Sequence, residues 1–210
     1  MILTRRLGSN AGVTMVELLV GTALGLGAMA TVLSFQRAQF SAVRDQVKQL
    51  RMQDATRNVV DLFAREMRRA GRDPKCKKIF PPIVVASATE VELRKDLNSN
   101  GTLEPDTEEV RYRIVDSTHF ERVAGEAAEV LISDVDLTGS RFRYFDAVGT
   151  ELIPEPELSE AQRATVRRVR LELSTTGRDY GSTRTAPLAA HAGTDVELRN
   201  RFFIHSEGCS

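Results

Sequence analysis

Hydrophobic residues follow three patterns along the chain. From Val13 to Phe35 they run almost unbroken: VTMVELLVGTALGLGAMATVLSF holds one ionisable side chain, Glu17, in 23 residues. As a helix rising 1.5 Å per residue this run spans roughly 35 Å, enough to cross the hydrocarbon core of a bilayer. From Gln36 to Ala70 there is no Pro or Gly. Val43, Val47, Leu50, Ala55, Val59, Leu62, Phe63, Met67 and Ala70 recur there, mostly at three- and four-residue steps, among Arg, Lys, Asp and Gln. That spacing predicts an amphipathic helix, with Gly71 placed to end it and Pro74 three residues further on. One helix from Thr14 to Ala70 would be about 85 Å long. A small domain cannot bury such a helix, so its first half needs cover from lipid or from other subunits.

Beyond residue 74 the period shortens to two. Glu90–Arg94, Glu109–Ile114, Arg141–Tyr144, Val169–Leu173 and Val196–Leu198 alternate apolar with charged residues. Such segments read as half-buried antiparallel strands, with Arg and Glu on the wet face able to pair across strands. Gly139-Ser140, Gly149-Thr150 and Gly177-Arg178 mark turns, and Pro154 and Pro156 mark a loop in an acidic stretch. The expected fold is α+β: a predominantly antiparallel β domain over residues 74–210, packed on the apolar stripe of helix 43–70.

Composition refines this picture. The chain has 210 residues, 41% hydrophobic and 28% charged, with a formal net charge of zero. These values exclude collagenous, wholly disordered and multi-span membrane chains. Two cysteines exclude a disulfide-dense mini-protein. The zero total hides segregation: residues 1–12 carry +2, residues 13–35 carry −1, residues 36–73 carry +4 and residues 74–210 carry −5. Arg5 and Arg6 precede the apolar run, so the positive-inside rule places the N-terminus in the cytoplasm and the β domain outside. An ordinary signal peptide fits less well, because its apolar core is usually only ~7–15 residues long. Gly21, Gly25 and Gly27 would let other helices approach closely. Glu17 is costly in hydrocarbon unless protonated or paired with a cation at its own depth. A neighbouring subunit or a freshly made N-terminus would provide one.

The stretch Gly12-Val13-Thr14-Met15-Val16-Glu17-Leu18-Leu19-Val20, behind a short Arg-containing leader, resembles the processing site of the type IV pilin superfamily. In that family a prepilin peptidase cuts after the Gly and methylates the new N-terminal residue. A Glu stands at the fifth mature position, inside a long apolar helix. The resemblance implies a leader over residues 1–12, cleavage between Gly12 and Val13, methylation of Val13, and an assembly role for Glu17. Val13 departs from the usual Phe. Residues 13–35 would be the transmembrane and assembly helix, residues 36–73 the amphipathic continuation, and residues 74–210 a periplasmic β domain. Asp96–Gly101, the Glu109–Arg113 strand and Asp195–Asn200 resemble PilW-type minor pilins and the related J-type minor pseudopilins of type II secretion. The implied function is that of a minor pilin. It would sit in the inner membrane and then in the cell-surface pilus (the fimbrium used in motility), priming assembly near the tip. Implied partners are other minor and major pilins, the prepilin peptidase, the inner-membrane assembly platform and a tip adhesin. A pseudopilin of type II secretion and a ligand- or DNA-binding minor pilin are the alternatives. The acidic β domain speaks against nucleic acid, which needs clustered Lys and Arg.

Two local patterns add chemistry. Asp96, Asn98 and Asn100, followed by Gly101, match the start of a calcium loop, with Thr102 and Glu104 as further oxygen donors. The twelfth position is Thr107 rather than a bidentate Glu, so the site would not be an EF-hand. A plain polar turn between strands fits the same residues. Cys76 and Cys209 are the only cysteines. Outside the cytoplasm they could form a disulfide tying the tail to the helix end, or stay as two thiols. His119, His191 and His205 are scattered, and no catalytic motif surrounds them. The chain does not read as an enzyme, and apart from calcium no cofactor is expected.

Overall fold

The computed structural model describes residues 13–74, 80–115, 118–177 and 188–198. The chain divides into two compact units, Met1–Gln46 and Val47–Ser210. Helix α1, Met15–Arg69, is the regular structure of the first unit and opens the second.

Among the described residues of the first unit, the apolar side chains are exposed. Met15 is 82% exposed and Phe40 67%, and the intervening Leu and Val residues are also open. Within the 18-residue window most apolar in character, no residue is buried by the rest of the chain. The absence of Pro from Met15 to Arg69 lets the helix run unbroken.

The second unit has two antiparallel sheets. The first is a meander of β1 (Ile83–Ala86), β2 (Glu90–Arg94), β3 (Glu109–Val115), β4 (His119–Ala124) and β5 (Ala127–Ser133), in that order. A short turn of helix, α2 (Pro105–Glu108), precedes β3. The second sheet uses β6 (Arg141–Phe145), β7 (Glu151–Leu152), β8 (Arg168–Gly177) and β9 (Leu188–Glu197), in the order β7-β6-β8-β9. Helix α3 (Glu160–Thr165) lies between β7 and β8. The long helix packed on antiparallel sheets is the α+β arrangement expected from the sequence.

Strand alternation translates directly into burial. On β3, Val110, Tyr112 and Ile114 face inward, while Arg111 and Arg113 are only partly covered. The charged faces pair across strands as expected: Arg113 with Glu121 at 3.0 Å, Arg141 with Glu172 at 2.9 Å, and Arg170 with Asp195 at 2.6 Å. Each such surface pair contributes on the order of 0–1 kcal/mol. Their larger effect is on register, because a one-residue slip would bury the charges.

The core centres on Phe63 of α1. Its ring meets Tyr112 of the first sheet edge-on at 5.3 Å and Phe142 of the second at 5.6 Å. Phe120 completes the cluster, 5.8 Å from Tyr112 and 6.1 Å from Phe142. One helical side chain therefore touches both sheets. Hydrogen bonds also join the sheets, including Phe142 N–H to the Ala88 carbonyl at 2.8 Å and Tyr144 O–H to the Ser87 carbonyl at 2.8 Å.

The buried stripe of α1 is shorter than its apolar pattern. Thr56, Val59, Val60, Phe63, Ala64 and Met67 are covered. Val43, Val47 and Leu50, expected to pack on the β domain, remain 54%, 41% and 58% exposed. Full burial along α1 begins at Thr56, and a 3–4 spacing marks an apolar face without saying what covers it. The sequence reading also missed β1, β4, β5 and β7. The Ile-Val-Val-Ala run of β1 does not alternate, and β5 lies mostly exposed at a sheet edge. Helix α3 went unread despite its capping box, in which Ser159 and Gln162 satisfy each other's backbone N–H groups.

Gly71 ends α1 in the left-handed region, φ +73°, and a Cβ there would lie 2.7 Å from Pro82 Cγ. Gly71→Ala is therefore expected to destabilise the protein by about 1–3 kcal/mol through backbone strain and overpacking. Urea denaturation of the detergent-solubilised chain, followed by circular dichroism, measures this.

Candidate functional site

Three groups of polar residues stand out once side chains are placed. The first is at the start of α1. Thr14 precedes the first helical residue, and its N–H donates to Glu17 Oε2 at 3.0 Å. The Thr14 hydroxyl accepts from the Glu17 N–H at 3.3 Å and lies 3.1 Å from Glu17 Oε2 as a donor. This is a capping box, in which each residue satisfies the other's exposed helix-end group. The sequence reading took Glu17 as a charge in search of a cation and missed this local partner, although the Thr-x-x-Glu spacing shows it. The carboxylate is held back toward the helix N-terminus, where the macrodipole favours negative charge. Further along, Thr22, Thr31, Ser34 and Ser41 return their hydroxyls to carbonyls three residues earlier, at 2.7–2.9 Å. The hydroxyls of Thr22, Thr31 and Ser34 in the apolar run, and of Ser41 beyond it, are thus satisfied within the helix.

The second group joins α1 to the first sheet. Glu66 accepts from Tyr112 O–H at 2.6 Å and from Arg122 at 3.0 and 3.3 Å, and Lys95 Nζ lies 3.3 Å away. Tyr112 and Arg122 are directly opposed on β3 and β4, and Lys95 follows β2. One helical carboxylate therefore holds three consecutive strand segments. Burial alone would raise the Glu66 pKa, but the hydrogen bonds from Arg122 and Tyr112 and the charges of Lys95 and Arg122 outweigh it and hold the group below its ordinary value. Burial also lowers the Lys95 pKa, despite the attraction of Glu66. No sequence signal picked out Glu66, because a single Glu in a charged helix looks like surface.

The third group is the loop proposed for calcium. Asp96 is fully buried, and its two oxygens accept from Ser99 N–H at 2.6 Å and Gly101 N–H at 2.9 Å. Asn98 Oδ1 accepts from Asn100 N–H at 2.9 Å. Asn100 Oδ1 accepts from the N–H and hydroxyl of Thr102, both at 2.7 Å. The two Asn amides donate to Glu104 Oε1 at 2.8 and 3.0 Å. Glu108, also fully buried, accepts from the N–H groups of Leu97, Asn98 and Glu104. The five residues singled out do come together, and the two Asp96 oxygens, Asn98 Oδ1, Asn100 Oδ1 and Glu104 Oε1 each accept from a donor of the loop. A cation placed among them would compete with those donors. Among the described residues no three His, Cys, Asp or Glu side chains form a metal-holding cluster. The loop is tied to the helix end, since Asp96 N–H donates to the Arg72 carbonyl and Gly71 N–H to the Arg94 carbonyl, both at 2.8 Å.

Of the remaining sequence sites, Val13 lies exposed just ahead of α1. Gly12, Cys76, Cys209 and His205 lie outside the described residues. The His119 ring Nδ1 lies 2.7 Å from the neighbouring Thr118 hydroxyl.

No family model matches the chain, and no curated protein matches it. Among solved structures, the chain is similar to a type IV-like pilin from Thermus thermophilus, at 13% identity and a TM-score of 0.48. The similarity covers 72% of this chain and 97% of that one. The functional reading rests on helix α1 and its N-terminal motif rather than on this likeness.

Two outcomes test the polar groups. Removing Glu66 strands a buried Lys95 together with Arg122 and Tyr112, so Glu66→Ala should cost about 3–5 kcal/mol. Because the folded Glu66 pKa is depressed, its stabilisation is complete above the ordinary value of 4.5 and is lost as pH falls through the lower folded value. Glu66→Gln should therefore flatten the acid limb of a urea-midpoint profile taken down to about pH 3. Asp96→Ala leaves two N–H groups without acceptors and should cost about 2–4 kcal/mol. Thermal melts of wild type and variant with and without calcium test the proposed ion: it requires that wild type gain stability with calcium and that Asp96→Ala does not.

Proposed function

We propose that this chain is a minor pilin of the type IV pilin superfamily. In this reading it is cut after Gly12, methylated on Val13 and held in the inner membrane by residues 13–35. The same helix then packs it into a filament. The observation that carries the proposal is the uncovered apolar surface of α1 from Met15 to Phe35, entered through one capped carboxylate at Glu17. A soluble domain would not leave that surface in water, and lipid or other helices of like character would each cover it. The β unit is too acidic to serve as a general phosphate binder, and its Arg side chains on the second sheet are committed to Glu and Asp partners. It reads as a recognition and assembly surface rather than a catalyst. A PilW-type role near the tip, with other minor pilins, the assembly platform and a tip adhesin as partners, follows from the sequence resemblance.

Glu17 has a defined part in this reading. Its carboxylate already takes the Thr14 N–H, and cleavage after Gly12 would create an ammonium on Val13, one residue away. The carboxylate can then meet that ammonium in its own chain or, at the same depth, the ammonium of a neighbour. Pairing across subunits would set helix register in the filament, since two opposite charges in hydrocarbon strongly favour meeting. A bridge between Cys76 and Cys209 belongs to the same proposal, and a mobility shift on a reducing gel tests it.

Glu17→Ala should remain in the carbonate-washed membrane fraction but yield on the order of tenfold fewer filaments, the ratio that about 1.4 kcal/mol per assembly contact gives. Normal filament number in that variant refutes the register role. Deleting the gene and scoring pili against protein secretion separates the minor pilin from the J-type pseudopilin: intact pili with lost secretion would move the protein to the secretion system.

A further inference from the structure

Immediately beyond the apolar run, α1 presents a shallow open groove lined by Arg37, Phe40, Val43 and Arg44. Phe40 and Val43 form its apolar part and are 67% and 54% exposed. The two arginines stand seven residues apart, two turns along one face, or roughly 10 Å. Arg44 Nε donates to the Phe40 carbonyl at 3.3 Å, which draws its guanidinium back along the helix toward Phe40. Between Glu17 and Asp45 the chain contains no carboxylate.

We infer that this groove binds the headgroup of an anionic phospholipid. The inference rests on the membrane reading above, which puts Phe35 at the edge of the hydrocarbon. Phe40 then lies about 7.5 Å further along the helix, at headgroup depth. Two guanidiniums match a phosphate in charge and in hydrogen-bonding geometry. Phe40 and Val43 give the glycerol and headgroup carbons an apolar surface, as aromatic side chains do at membrane interfaces. Selectivity comes from what is missing. A zwitterionic lipid brings its own ammonium, which two arginines repel and which no carboxylate in residues 18–44 can receive. Phosphatidylglycerol, anionic through its phosphate alone, brings no such group. An acidic protein helix would satisfy the charges too, but the depth of the groove, directly adjoining the span, favours lipid.

The test uses the full chain reconstituted in mixed phosphatidylcholine and phosphatidylglycerol vesicles. Electron spin resonance reads the motionally restricted fraction of spin-labelled lipid of each type. Wild type should favour phosphatidylglycerol by about fivefold at low salt, the ratio that roughly 1 kcal/mol near a membrane surface gives. Arg37→Gln/Arg44→Gln should bring the ratio close to one. Lys48→Gln/Arg51→Gln, one to two turns further from the span, should keep most of it. Equal preference in wild type overturns the lipid site, as does an equal loss in both double variants, which would show a diffuse positive field instead. Carbonate washing keeps the two readings apart. Protein retained without lipid preference overturns this inference alone, whereas protein washed off overturns the membrane reading with it.

Discussion

The governing constraint is an apolar helix that its own chain does not cover. Between Met15 and Phe35, Leu, Val and Met side chains stand open, with Glu17 the one charge among them. At roughly 25 cal/mol per Å² of apolar surface, keeping such a helix in water is prohibitive, so something outside the chain must bury it. Every other feature of the first unit is consistent with that requirement. Its hydroxyls are turned back onto the helix backbone, its carboxylate is capped by Thr14, and the next ionisable side chain after Glu17 is Arg37, beyond the apolar run.

The second unit solves a different problem with the same helix. From Thr56 onward α1 acts as a core element of a two-sheet domain, and Phe63 packs on both sheets at once. A ring in that position couples the sheets alongside the hydrogen bonds that connect them. Glu66 adds a directional constraint. By binding Tyr112, Arg122 and Lys95 it fixes the rotation of the helix against three strand segments. A buried charge of this kind is weak support for stability taken alone, since an apolar replacement can do as well. Its effect is specificity, because a helix turned by one residue would leave three donors unmatched in the interior.

The loop from Asp96 to Glu108 illustrates how one pattern of residues serves two chemistries. Alternating oxygen side chains with a glycine suit a hard cation and equally suit a chain of Asx turns. The fully buried Asp96 and Glu108 carboxylates accept from N–H groups of the loop, and the Asp96 N–H ties the loop to the end of α1 through the Arg72 carbonyl. The spacing is common to both uses, because which donors or ions reach the oxygens depends on the path of the backbone.

The sequence by itself determined the elements whose signal is local. An unbroken apolar run, a 3–4 spacing ended by Gly71 and the alternation of β2, β3, β6 and β8 each follow from one stretch of chain meeting one kind of surroundings. The Thr14–Glu17 box was equally legible in its spacing, though it went unread. Only the tertiary structure decided where the apolar stripe of α1 stops being covered, since Val43, Val47 and Leu50 are as apolar as Val59 and Val60. Only it revealed the edge strand β5, whose exposure breaks the alternation, and the partners of Glu66, which lie 29 to 56 residues away. The physical reason is common to these cases. Periodicity records which face of an element is apolar or charged, whereas burial and ion pairing depend on which distant segment is brought against that face.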